Sequence, residues 1–263
     1  MYFVGIALIL LGALLIKQIT GMKYRKSFFI MELPEYKVPS VVFACKSMLE
    51  RGKAYIIKAG TIILVCNMVV QIMATFTPGF VVAAEDSSDS ILAMIASPVA
   101  VLLIPVVGFA SWQLAAAAIT GFIAKENVVG TLATVFCITN FIDTDELALV
   151  SGGSEVAAIM GLTKVAALAY LMFNLFTPPC FAALGAMNSE MKSGKWLAGA
   201  IGFQLATGYV IGFVVYQAGT LITTGSLGAG FIGGLIAVLI IAAFITYLCI
   251  HANKKLKAEY ALD

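Results

Sequence analysis

The segment Ala124-Lys125-Glu126-Asn127-Val128-Val129-Gly130 sets a cation and an anion side by side in a chain that is 61% hydrophobic and 11% charged. Apolar runs long enough to cross a bilayer flank it on both sides. An ionised side chain at that depth costs several kcal/mol unless it is partnered or wetted, so it is a functional-site candidate. Successive helical residues diverge by about 100°, so Lys125 and Glu126 cannot face the same partner. One can face a pore and the other a neighbouring helix, or Lys125 can belong to a structural ion pair. A second segment, Asn174-Leu175-Phe176-Thr177-Pro178-Pro179-Cys180, puts two prolines where no helix can continue and a thiol directly after them. Bare carbonyls and amides at membrane depth are tolerated only where protein buries them or they line a cavity. Broken helices of this kind mark substrate sites at the midplane of transporters. The plainer alternative is that the prolines only shape packing and that Cys180 fills the space beside them.

The rest of the chain must hold these segments in place. A mean hydropathy of +1.02 over 263 residues suits a multispan bundle and not a soluble domain. Seven apolar runs are candidate crossings: 2–19, 54–75, 91–109, 112–136, 156–187, 196–217 and 229–250. Nine of the 16 Lys and Arg lie between Lys17 and Lys58, two are Lys192 and Lys195, and three are Lys254, Lys255 and Lys257. The connections 76–90 and 137–155 carry Glu85, Asp86, Asp89, Asp143, Asp145, Glu146 and Glu155 with no basic residue. Basic segments stay in the cytoplasm, so alternating the spans places the N-terminus outside and the C-terminus inside. The net charge of +2 says little, and no nucleic-acid partner is expected. The reading is an all-α, polytopic membrane bundle of about seven crossings, with membrane lipid as its surroundings.

Several local features refine this. Pro98 and Pro105 should kink or interrupt the run 91–109. The stretch from Phe28 to Pro39, aromatic and bounded by prolines, fits the headgroup level, and 40–53 reads as an amphipathic helix on the cytoplasmic surface. Residues 1–27 thus form a first span with a basic loop, 28–53 a cytoplasmic-face segment, 54–220 the main membrane domain, and 221–263 a last span with a basic tail. Cys45, Cys66, Cys137, Cys180 and Cys249 are odd in number and widely spaced, against a disulfide framework or a CxxC zinc site, and each reads most simply as a small buried hydrophobe. His251 reads as a helix-terminal side chain, and Lys164 as a snorkelling residue or a partner of Glu155 or Glu126. Gly228, Gly230, Gly233 and Gly234 suit close helix packing. No Ser-His-Asp, HExxH or paired-carboxylate pattern points to an enzyme.

Met31-Glu32-Leu33-Pro34 with Tyr36 and Pro39, then Gly121 to Leu132, then Pro179-Cys180 in a helix break occur in an order and spacing that resembles the C-terminal membrane region of the ferrous iron transport protein B (FeoB) family. Asn127 and Thr177-Pro178 depart from that family's usual residues. The resemblance covers most of residues 28–220, including a Gate motif, and implies bacterial-type inner-membrane Fe²⁺ uptake coupled to a cytoplasmic GTP-binding domain. No G-x-x-x-x-G-K-[ST] occurs here, so GTP is expected on a partner or on a domain beyond these residues, together with a first Gate half or further copies of the chain. For a borderline-soft ion, Cys180 and Glu126 are then the candidate metal contacts, with Asn127, Thr131, Thr177 or exposed carbonyls as neutral oxygens and Lys125, Pro178 and Pro179 shaping the path. A lone cysteine suits passage, because four good ligands would trap the ion. No tightly bound cofactor is expected. Two other classes stay open: a Gate-type permease for another solute such as a nucleoside, and a nontransporting membrane anchor.

Overall fold

A computed structural model describes residues 2–20, 40–79, 81–82, 88–123, 125, 127–136 and 160–260. Its helices are α1 (Tyr2–Thr20), α2 (Val41–Thr75), α3 (Ile91–Val107), α4 (Trp112–Ile123), α5 (Asn127–Val135), α6 (Lys164–Phe176), α7 (Phe181–Met191), α8 (Gly194–Thr224) and α9 (Phe231–Tyr260). Residues 1–49 with 235–263 form one compact unit, and residues 50–234 form the other. In the first, Ile9, Leu10 and Leu14 of α1 and Ile240 and Phe244 of α9 are exposed. Such side chains face outward without penalty only where the surroundings are lipid.

Among the described residues, two helices, α8 and α9, are long and apolar enough to cross a membrane, and a third span results if the bent pair α3–α4 counts as one. The seven apolar runs do not map one to one onto such helices, since 112–136 holds α4 and α5 and 156–187 holds α6 and most of α7. The runs 91–109 and 112–136, read as separate crossings, contain α3 and α4 bent by 99° at a break of four residues or fewer. The interruption expected at Pro98 and Pro105 lies elsewhere: α3 runs unbroken through Pro98 and ends at Gly108. Leu92, Ala96, Ala100 and Leu103 form a buried stripe against Ala115 and Ala116 of α4. Pro98 sits exposed on the far side, so the packed face holds the helix together. Gly108 is the real stop. Its φ is 98°, its N–H donates to Ile104 O at 2.7 Å, and a Cβ there would run into the Tyr216 hydroxyl, so both backbone and space require glycine. Ser111 then opens α4, its hydroxyl accepting from Leu114 N at 3.3 Å.

The stretch 40–53 is not a separate surface helix either. It is the first part of α2, which continues to Thr75 because no proline lies between Ser40 and Pro78 to stop it. Cys45 is exposed, contrary to the expectation that every cysteine is buried. Lys164 is the first residue of α6, capped by Thr163, and not a residue deep in a span.

In the second unit, α8 lies against α6 and α3, and α7 packs on α8. Glycines allow the closest approaches: a Cβ on Gly208 would meet Thr177 and Phe173, one on Gly212 would meet Val106 and Phe173, and one on Gly219 would meet Val165. At the start of α9, Gly228, Gly230 and Gly234 similarly admit Tyr216, Ile104, Phe213 and Pro105, whereas Gly233 meets nothing.

Candidate functional site

The two segments singled out by their chemistry meet. Lys125 lies in the break between α4 and α5, and its ammonium donates to Asn174 O at 2.7 Å, Thr177 O at 3.0 Å and Leu175 O at 3.2 Å. The prolines explain why those oxygens are available. In a continuous helix, the carbonyls of Asn174 and Leu175 would accept from the N–H of residues 178 and 179, and both of those are proline. Phe173 O keeps its ordinary partner, Thr177 N, at 3.0 Å. Thr177 is extended (φ −68°, ψ 163°), as a residue before proline must be, and this turns its carbonyl out of the helix. Its hydroxyl donates to Asn174 O at 2.9 Å.

Neighbouring contacts fix the geometry. Asn174 Nδ2 donates to Tyr170 O at 3.0 Å, and the buried Tyr170 hydroxyl donates to Leu114 O at 2.7 Å, tying α6 to α4. Phe122 at the end of α4 meets Phe181 at the start of α7 edge to face, with ring centroids 5.2 Å apart.

Cys180 is the residue before α7 (φ −57°, ψ 159°), half-buried, and its carbonyl accepts from Leu184 N at 3.0 Å. Its side chain makes no capping bond to α7. Pro178 is fully buried, and Pro179 is half-buried. Thus Lys125, Thr177, Pro178, Pro179 and Cys180 come together. The Thr131 hydroxyl bonds to that of the buried Thr120 at 2.8 Å, clamping α5 to α4. Asn127 is the first residue of α5. Glu126, Glu32, Leu33, Pro34, Tyr36 and Pro39 lie outside the described residues. Among the described residues no three His, Cys, Asp or Glu side chains cluster to hold a metal, so the donors gathered here are one thiol and neutral oxygens.

Reading by residue type expected exposed carbonyls at this break but did not assign them to Asn174 and Leu175. The signal for them was present, since each proline orphans the carbonyl four residues before it. It also missed Gln204, whose Oε1 is buried without a hydrogen-bond partner among the described residues. Gln204 precedes Gly208 by four residues and so shares its side of α8.

The family model described as ferrous iron transport protein B C terminus matches residues 1–51, and the Gate model, described as nucleoside recognition, matches 56–194, more than half of the chain. The Fe(2+) transporter FeoB of Staphylococcus aureus strain COL is 31% identical over 223 residues, which cover 84% of this chain and 31% of that protein. Its counterpart from Methanocaldococcus jannaschii is 28% identical over 230 residues, covering 84% and 32%. That of Salmonella paratyphi A is 27% identical over 260 residues, covering 82% and 33%. The chain spans about a third of the length of the curated relatives it matches. No solved structure matches it. With both family models aligned in tandem along it, the chain belongs to the ferrous iron transport protein B family, of which it carries the C-terminal and Gate regions.

Proposed function

We propose that this chain is the permease part of a ferrous iron uptake transporter and that Fe²⁺ passes the break between α6 and α7. The observation that carries the reading is the break itself, where Cys180 offers a soft donor beside carbonyls that the two prolines have released from the helix. Fe²⁺ is borderline in softness and accepts such a mixed set, and incomplete coordination lets it leave again. Glu126, adjacent to Lys125, is the carboxylate proposed to complete the path, with Asn127 and Thr131 on α5 lining it. The energy or the gating signal comes from a GTP-binding domain outside these residues, and a first Gate half or further copies of the chain cover the broken backbone. Residues 28–53 serve as a cytoplasmic-face segment before the 54–220 permease, and 221–263 as its closing span and tail, in a bacterial-type inner membrane.

Iron uptake in cells lacking other ferrous importers tests this. Accumulation is expected when the chain is expressed with the GTP-binding partner and not from the chain alone. Cys180→Ser should then lower uptake several-fold at unchanged membrane abundance, because an alcohol is a poorer ligand for this metal. Assembly with the partner but no iron flux would favour a membrane anchor. Nucleoside flux in its place would favour the other reading that the Gate family's description raises.

Orientation has its own test. At about 1.5 Å per residue, α8 with its 31 residues exceeds a bilayer's hydrocarbon thickness, so Ser193 and Ser226 at its two ends lie on opposite faces. With the N-terminus outside and the C-terminus inside, cysteine at 226 in a cysteine-free background should react with an impermeant thiol reagent on intact cells. Cysteine at 193 should react only after lysis. The reverse pattern would invert the topology.

A further inference from the structure

Three carbonyl oxygens, those of Asn174, Leu175 and Thr177, converge on one positive charge at 2.7–3.2 Å. Carbonyl oxygens gathered around a point are a cation site, since they replace the hydration shell that a cation sheds. Two of them exist because Pro178 and Pro179 have no N–H to offer, and the third because Thr177 is extended. The charge that fills the site is carried on a flexible four-carbon stem from a different helix break, 49–52 residues away in sequence. Lys125 is therefore a cation on a tether, held where a free cation could sit. Cys180 follows Thr177 by three residues, at the other end of the same break, where α7 begins. A divalent ion at that sulfur and an ammonium in the carbonyl cradle repel each other in surroundings of low dielectric.

We propose that the carbonyl cradle at the α6 end is a cation subsite of the permeation path, that Lys125 is its resting occupant, and that Lys125 must withdraw when a divalent cation reaches Cys180. The withdrawal rests on the transport reading above; the capacity of the cradle to hold a free cation does not. Lys125 is on this account a latch, and not only a cap on a broken helix.

The atoms lost in Lys125→Ala are those of n-propylammonium, which is the probe. The purified chain in detergent, followed by the fluorescence of Trp112 and Trp196 on heating, should unfold several degrees lower in Lys125→Ala than in the unmodified chain. Millimolar n-propylammonium should restore the variant's midpoint without moving that of the unmodified chain. Tetramethylammonium, which has charge but no N–H, should do neither. Anaerobic Fe²⁺ should then shift the n-propylammonium titration to higher concentration, and Cys180→Ser in the same background should remove that shift. Failure of n-propylammonium to stabilise the variant overturns the cradle. Stabilisation that Fe²⁺ leaves unchanged reduces Lys125 to a structural cap and overturns the latch. Should Lys125→Ala not survive purification alone, it is purified in n-propylammonium and the probe is removed stepwise, so that the same midpoints are read. A transport reading that is wrong would show separately, as absence of iron uptake by the unmodified chain with its partner.

Discussion

Pro178→Ala combined with Pro179→Ala is expected to abolish Fe²⁺ uptake while leaving a folded chain. The two substitutions return N–H donors at 178 and 179, which can reach Asn174 O and Leu175 O and carry α6 straight into α7. They also lift the restriction that keeps Thr177 extended, so its carbonyl can turn back into the helix. Lys125 then loses the three acceptors it now holds, and Cys180 becomes an interior helical residue with no bare backbone beside it. Helix propensity favours the change by up to about 3 kcal/mol per proline, against which stands the half-buried ammonium, whose hydrogen bonds are worth about 1.5–3 kcal/mol each. The two effects roughly offset, so stability changes little and the functional loss is specific. A thermodynamic cycle separates this from general damage. Lys125→Met should lower stability markedly in the unmodified chain and by much less in the double-alanine background, with a coupling of about 1–3 kcal/mol measured by thermal unfolding. Additive effects would show that the prolines and Lys125 do not act on the same carbonyls.

That coupling bears on how much of the site was readable from residue types. The break at 177–180 was legible because two successive prolines cannot continue a helix, and α6 ends and α7 begins around them. Lys125 was conspicuous as a charge among apolar residues, but carboxylates seemed its natural partners. Its observed acceptors belong to the main chain, and a main-chain oxygen has no residue type to announce it. The rule that each proline frees the carbonyl four residues earlier would have pointed to Asn174 and Leu175. Only folding reveals that Lys125, 49 residues before Asn174, is the group that satisfies them. Thr131 illustrates the converse. Its hydroxyl, one turn after Asn127, is announced by residue type, and it bonds to that of Thr120, joining two short helices.

The fold was legible in class and less so in its divisions. Hydropathy marks how far an apolar run extends but not whether it is one helix, and prolines were weighted too heavily as the places where helices stop. In α3 the stop is Gly108, followed three residues later by the capping Ser111. That Gly-then-Ser signal is the ordinary punctuation of a helix end and a new start, and it was present in the sequence. The joined α2 has the same lesson in reverse, since an amphipathic stretch followed by an apolar one needs a breaker between them to become two helices, and residues 41–75 contain no proline.

The second large effect is expected at Gly208, on the helix that backs the break. A Cβ built there would lie 2.9 Å from Thr177 Cγ2 and 3.0 Å from both Phe173 O and Thr177 N. Two of these atoms are backbone, and they belong to the last turn of α6, where the Thr177 amide closes onto Phe173 O. A side chain cannot rotate them out of the way; the turn itself has to shift, and Lys125 and Cys180 shift with it. Gly208→Ala gains about 1 kcal/mol of helix propensity against an overpacking cost of about 1–3 kcal/mol, so a net loss is expected, and Gly208→Leu should eliminate Fe²⁺ uptake. Gly202 and Gly199, on the same helix, have nothing within 4 Å of where a Cβ would be. Gly202→Ala and Gly199→Ala should therefore keep full uptake and raise thermal stability slightly, since only the propensity gain remains at positions with open space. Uptake and unfolding midpoint measured across the four variants decide the matter. Equal losses at 199, 202 and 208 would mean that α8 tolerates no alanine for reasons of its own. Normal uptake by Gly208→Leu would mean that the approach of α8 to the α6 end does not hold the break in shape.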